Sequence, residues 1–163
     1  MKIILIGFMG SGKTTVANIL AKKLNLEVVE MDQLILTKSG RNNISEIFSL
    51  DGEKHFRALE TKVCQSLKDQ DGLIISTGGG VIGNKINIMN LKNNGRIFYL
   101  KTSFSIIDKR LKNDRTRPLF KDKKAAKKLF DIRQNLYEKW ADCTILTDKK
   151  STDEVANCLI NLL

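Results

Sequence analysis

The stretch Lys2–Thr15, KIILIGFMGSGKTT, decides the fold. Its first part, Lys2–Ile6, is a short β-branched and aliphatic run that reads as a buried strand. Behind it, Gly7–Thr14 matches G-x-x-x-x-G-K-[ST] at every position, between a strand and a helix as the motif requires. Gly7, Gly10 and Gly12 let the backbone wrap closely around phosphate oxygens. The loop N–H groups and the following helix N-terminus then point at the anion. Lys13 supplies a cation for the outer phosphates, and Thr14 a hydroxyl for a bridging Mg²⁺. Gly10, Ser11, Gly12, Lys13, Thr14 and Thr15 are therefore candidate nucleotide contacts. The loop names a superfamily and leaves the reaction open.

Further along the chain the same alternation continues. Glu27–Met31, Leu73–Thr77, Arg96–Leu100 and Cys143–Thr147 read as four more strands, rich in Val, Ile and Leu at their centres. Between them lie helical patterns, with stripes such as Val16, Ile19, Leu20, Leu24 and Phe56, Leu59, Val63, Leu67. Strands alternating with helices predict a doubly wound, three-layer α/β/α sandwich, whose ligands collect at the carboxyl ends of the strands. The 163 residues hold no repeat, low-complexity tract or Pro/Gly-rich linker, so one domain over residues 1–163 is expected.

Composition narrows the function classes. No segment reaches the roughly 20 apolar residues of a membrane span, and MKIILIG lacks the pattern of a cleaved signal, so a cytoplasmic setting is expected. Cys64, Cys143 and Cys158 are widely spaced and form no CxxC pair, which reads as reduced thiols. The sole histidine, His55, is expected in a surface or packing role. The net charge of +10 raises nucleic-acid binding as a possibility. The excess, however, crowds into Lys101–Lys128, where stacking aromatics are scarce, so a solvated face and a field for small anions are the expectation. An Asn-Lys-x-Asp run of GTPases is absent, as is a strand ending in Asp-Glu of motor ATPases.

Polar residues gather instead at other strand ends. The second strand leads into EMD, placing Glu30 and Asp32 near the metal and phosphates; Asp32 also suits a helix cap. Arg57 and Glu60 lie three apart on one helix and can pair there or at the surface. The third strand ends in Thr77-Gly78-Gly79-Gly80, a backbone stripped of side chains for close approach. Arg110, Arg115 and Arg117 lie in a polar stretch suited to a mobile lid, about 110–124, that closes over phosphates and excludes water. Arg133, in IRQNLYEKWAD, is a candidate carboxylate or phosphate anchor.

Taken in order, GFMGSGKTT, EMDQLI, the IF…GE..FR..E pattern of Ile47–Glu60, STGGG, RTRPL, IR..LYE..AD and TILTD..S..EV resemble the shikimate kinase family across essentially the whole chain. The resemblance implies a five-stranded parallel sheet in order 2-3-1-4-5. It also implies γ-phosphoryl transfer from ATP to the 3-hydroxyl of shikimate, with Mg²⁺, in aromatic amino-acid biosynthesis, by a monomer without nucleic-acid or membrane partners. Carried over by position, Asp32 would hold the ring hydroxyls, Arg57 and Arg133 the carboxylate, and Gly78, Gly79 and Gly80 backbone contacts. Phe48 and Phe56 would be apolar walls. Arg110 would stack on adenine and Arg117 contact the phosphates, with Lys13, Asp32 and Arg117 the catalytic set and Thr14 on Mg²⁺.

The chain departs from the family at three places. Glu30 stands where the family has Asp, one methylene shorter, and is expected near Mg²⁺ through water. Asn135 replaces a common Pro, which is expected to loosen a local turn. In the adenine-loop segment TDKKST, only Asp148 and Ser151 follow the usual pattern. Another small-molecule kinase, for gluconate or a nucleotide, is the nearest alternative, and an ATP-switched nucleic-acid-binding protein a more distant one.

Overall fold

Every residue of β1, Lys2–Ile6, is buried, because neighbours cover both its edges and both its faces. In the computed structural model, which describes residues 1–112 and 122–163, β1 lies between β3 (Leu73–Ser76) and β4 (Gly95–Lys101). All three are parallel, with Ile4 in register with both Ile75 and Ile97. β2 (Glu27–Glu30) adds outside β3 and β5 (Cys143–Leu146) outside β4, giving the parallel order β2-β3-β1-β4-β5.

Successive side chains of a strand point to opposite faces, and β1 feeds a separate core on each. Ile3 and Leu5 pack with Val16, Ala17 and Leu20 of α1 (Lys13–Leu24) and Val155, Ala156 and Leu159 of α8 (Thr152–Ile160). Ile4 and Ile6 face the other way. Their core includes Met31 and Ile35 of α2 (Met31–Ser39), Phe56, Leu59 and Val63 of α4 (Glu53–Ser66), and Ile88 and Leu91 of α5 (Lys85–Lys92). Phe130 and Tyr137 of α7 (Lys123–Trp140) close the same core, beside Ile107 of α6 (Phe104–Leu111). A short α3 (Ile44–Glu46) runs into a π-helical turn at Ile47–Asp51 before α4. The result is the expected three-layer sandwich. Burial on both faces holds for β1, β3 and the middle of β4, while β2 and β5, with one neighbour each, are partly exposed.

One local alternative is removed and one expectation is corrected. β2 stops at Glu30, which takes the extended cap position, and Met31 already opens α2. Asp32 therefore sits inside the first helical turn and is not the cap; its side chain is left for other partners. The turn expected at Asn135 is absent, since α7 runs unbroken from Lys123 to Trp140. Asn135 keeps the backbone N–H that proline lacks, so the helix continues through it. The start of α7 is fixed by Asp122, whose carboxylate accepts from Lys124 N and Ala125 N. Among the described residues, no helix is long and apolar enough to cross a membrane.

Candidate active site

The P-loop leaves the carboxyl end of β1 and enters α1 at Lys13. Gly10 (φ 77°) and Gly12 (φ 92°) take left-handed conformations that side chains resist, and so turn the loop back on itself. Lys13 is buried, and its Nζ donates to the carbonyls of Gly7 (2.8 Å) and Phe8 (3.0 Å) inside the loop. The Ser11 hydroxyl is buried beside Gly7 with no hydrogen-bond partner among the described residues.

One turn away, Thr14 Oγ1 donates to Glu30 Oε2 (3.2 Å) and lies 3.4 Å from Ser76 Oγ. The other carboxylate oxygen, Glu30 Oε1, is buried without a partner among the described residues. A hard cation takes hydroxyl, carboxylate and phosphate oxygens, so this group fits Mg²⁺. Thr14 and Glu30 would hold the ion, with Ser76 beside them.

A cavity of about 380 Å³ opens over the loop. Gly10, Gly12, Lys13, Thr14 and Thr15 form one wall, and Glu30, Asp32, Ser76, Thr77, Gly78 and Gly79 another, with Arg110 and Thr152 at the rim. Arg110 Nη1 donates to the Gly10 carbonyl (2.9 Å), which brings the guanidinium over the nucleotide side. A second depression at Asn43, Ser45, Glu46, Phe48 and Ser49 lies apart from these groups.

The triple glycine is explained by what stands against it. A Cβ on Gly78 would come within 3.0 Å of Asp32 Oδ1 and 3.6 Å of Glu60 Oε1; one on Gly80 would collide with Arg57 Nη1 at 2.5 Å. The turn is bare because two charged side chains of opposite sign need the room. Gly79 is held from α7, where Tyr137 Oη donates to its carbonyl (2.6 Å).

Arg57 is clamped rather than free on the surface. Its Nη1 donates to both Glu60 oxygens (3.0 and 3.2 Å), its Nη2 reaches Glu53 (3.4 Å), and its guanidinium lies 5.2 Å from the Phe56 ring centroid. Phe48 packs on Phe56 at 4.7 Å, and Phe56 in turn lies under the arginine. Glu60 is 1% exposed. Burial pushes its carboxyl up, against the pull of Arg57 and, farther off, Arg133, while Asp32 adds to the rise. Arg133 lies on the same helix face as Tyr137, with burial and then the charge of Arg57 pushing it down. Two cations and a buried anion thus meet beside the exposed carboxylate of Asp32.

The structure therefore brings together the loop residues, Glu30, Asp32, Gly78 and Gly79 in one cavity, with Arg110 above it. Arg57, Arg133, Phe48 and Phe56 do not line that cavity; Gly80 and Glu60 connect them to it. Arg115 and Arg117, with most of the expected lid, lie outside the described residues. His55 is exposed on α4, and the three cysteines are free, Cys64 being buried. Tyr137, four residues after Arg133 and so on the same helix face, could have been found by that spacing. Ser76 and Thr152 gave no such signal.

A P-loop whose cavity holds a hydroxyl and a carboxylate suited to Mg²⁺ together with Asp32, with Arg57 and Arg133 close behind it on a doubly wound sheet, defines a small-molecule phosphotransferase. The family model for shikimate kinase matches residues 9–163, and the chain belongs to that family. It is 46% identical to a shikimate kinase of Sulfurihydrogenibium over 94% of this chain and 92% of the relative. With one from Caldicellulosiruptor bescii it shares 39% over 98% and 94%. Among solved structures, shikimate kinase of Acinetobacter baumannii in complex with shikimate superposes with a TM-score of 0.91 at 36% identity, over 99% and 91% of the two chains. Shikimate kinase of Aquifex aeolicus gives 0.86 at 33%, over 99% and 95%.

Proposed function

We propose that this chain phosphorylates shikimate on its 3-hydroxyl with ATP, acting as a monomeric, single-domain enzyme of the cytoplasm. The observation that carries the reading is Arg57, held by buried Glu60 against Gly80 and beside Asp32, next to the P-loop cavity. A hydroxylated carboxylate needs a cation for its acid group and an anion for its hydroxyls; Arg57 is held in place before the ligand arrives, and Asp32 stands exposed beside it.

In this reading the loop N–H groups of Gly10–Thr15 and Lys13 hold the phosphates, and Arg110 covers the adenine. Thr14 would hold Mg²⁺, with Glu30 beside it directly or through water, and the ion would supply positive charge to the phosphates. Arg57 and Arg133 take the acceptor carboxylate, with Phe48 and Phe56 as the apolar backing and Gly78–Gly80 offering N–H groups. Asp32 orients the 3-hydroxyl and accepts its proton as the oxygen bonds to the γ-phosphorus. The bond from that phosphorus to the β,γ-bridging oxygen breaks, and ADP leaves. Lys13 stays with the transferring group and stabilises its charge; Arg117 is assigned the same task on the sequence resemblance alone.

The test is an ADP-release assay with shikimate, gluconate and nucleoside monophosphates as acceptors. Shikimate should turn over far faster than the rest. Turnover of another acceptor without shikimate would overturn the reading.

A further inference from the structure

Asn87, in α5, is fully buried, yet nothing in the sequence marks it and no reacting group touches it. Its Nδ2 donates to Glu60 Oε2 (3.4 Å), and its Oδ1 is buried without a partner among the described residues. An amide with one end orphaned in the core costs stability compared with an apolar side chain of the same size. What it gains is at the other end.

The contact is set by two rungs between α5 and α4. Asn84 caps α5 by accepting from Ile86 N, while its Nδ2 donates to Thr61 Oγ1 (3.3 Å). Three residues on, and so on the same helix face, Asn87 meets Glu60, the neighbour of Thr61. The charged groups around Glu60 are Arg57 on its own helix, Asp32 from α2 and Arg133 from α7, with the Cys64 thiol one turn on. Arg57 is the partner that Glu60 grips with both oxygens. An amide that turns Nδ2 to the carboxylate favours its ionised form; the reversed amide would suit the protonated acid.

We propose that Asn87 is a positioning residue for the acceptor carboxylate, acting through Glu60, which it keeps charged and seated against Arg57. The inference rests on the function proposed above. Without the Asn87 donor, Glu60 takes up a proton at higher pH, Arg57 loses its double anchor, and acceptor affinity falls, while the nucleotide side is untouched.

The test is shikimate affinity by calorimetry, with steady-state constants, across pH for the wild type, Asn87→Leu and Asn87→Asp. Asn87→Leu should weaken shikimate binding about three- to ten-fold, the scale of one buried hydrogen bond, with kcat and the ATP KM held within about two-fold. The acid limb of shikimate binding should move to higher pH, and farther in Asn87→Asp, where a second carboxylate faces Glu60. In a Glu60→Gln background, Asn87→Leu should have no further effect on the acceptor. If Asn87→Leu fails to fold, Asn87→Asp, of equal size, gives the same reading.

Unchanged shikimate affinity and acid limb in a folded variant would overturn the proposal. So would parallel losses for ATP and shikimate, or an effect that persists undiminished in Glu60→Gln. A wild type that turns over shikimate alongside any of these results leaves the enzyme's function standing; one that binds no shikimate removes both.

Discussion

Thr14 Oγ1 and Glu30 Oε2 are 3.2 Å apart, joining the first turn of the P-loop helix to the end of β2. The hydroxyl and the carboxylate are both oxygen donors of the kind Mg²⁺ takes, and the second Glu30 oxygen is buried with no protein partner among the described residues. Glu30→Ala should raise the Mg²⁺ concentration needed for half-maximal turnover by about ten- to one-hundred-fold. The shikimate KM at saturating metal should stay near that of the wild type. Metal titration followed by turnover, and by Mn²⁺ binding in the presence of ADP, checks this. An unaltered metal requirement would remove Glu30 from the ion.

Lys13 and Arg133 should fail in opposite ways. Lys13→Met removes a cation that follows the phosphoryl group, so kcat should fall by about a hundred-fold or more. The circular dichroism spectrum should be unchanged. Arg133→Ala removes a charged contact to the acceptor, and the shikimate KM should rise by about ten-fold or more with ATP affinity little altered. Loss of nucleotide affinity in Arg133→Ala, with the acceptor KM unchanged, would place that arginine in the other half of the site.

Gly80→Ala tests why the turn is bare. The added methyl would stand 2.5 Å from Arg57 Nη1, so the guanidinium must leave its seat on Glu60. Acceptor KM should rise as in an Arg57 variant, while ATP binding is retained. Gly72→Ala serves as a contrast. A Cβ there meets nothing within 4 Å, although its positive φ of 68° adds backbone strain; stability should fall slightly and shikimate KM should not move.

How much of this was legible in the sequence follows from how far apart the cooperating residues lie. The P-loop is contiguous, and the short apolar run before it and the four later ones are local patterns, so the sheet could be read almost to the residue. Position at strand ends and on helices singled out Asp32, Arg57 and Arg133, and family resemblance then supplied their roles. Two local details were decided by backbone geometry: α2 begins at Met31, which removes the alternative of an Asp32 cap, and α7 passes through Asn135 where a looser turn was expected. Glu60 could be seen as a partner of Arg57, but its burial depends on α5 packing over α4. Asn87 lies 27 positions from Glu60 in the chain, and no periodicity links a buried amide to a carboxylate on another helix.

The buried Glu60 carboxyl makes a pH prediction whose sign can be worked out. Its folded pKa is raised, burial being the largest cause. A carboxyl of this kind contributes stability that is fully present below the usual range near 4.5 and is lost as pH rises through the raised value. The wild type should therefore lose melting temperature relative to Glu60→Gln as pH increases across that window, since the variant cannot ionise. Acceptor binding should run the other way. Shikimate affinity in the wild type should grow over the same window, as the ionised Glu60 seats Arg57, and Glu60→Gln should bind weakly and without that dependence. Melting curves and shikimate titrations at matched pH values check both. A Glu60→Gln chain whose melting temperature tracks the wild type at every pH, with the wild-type acceptor profile, would show that Glu60 neither titrates in this range nor holds Arg57.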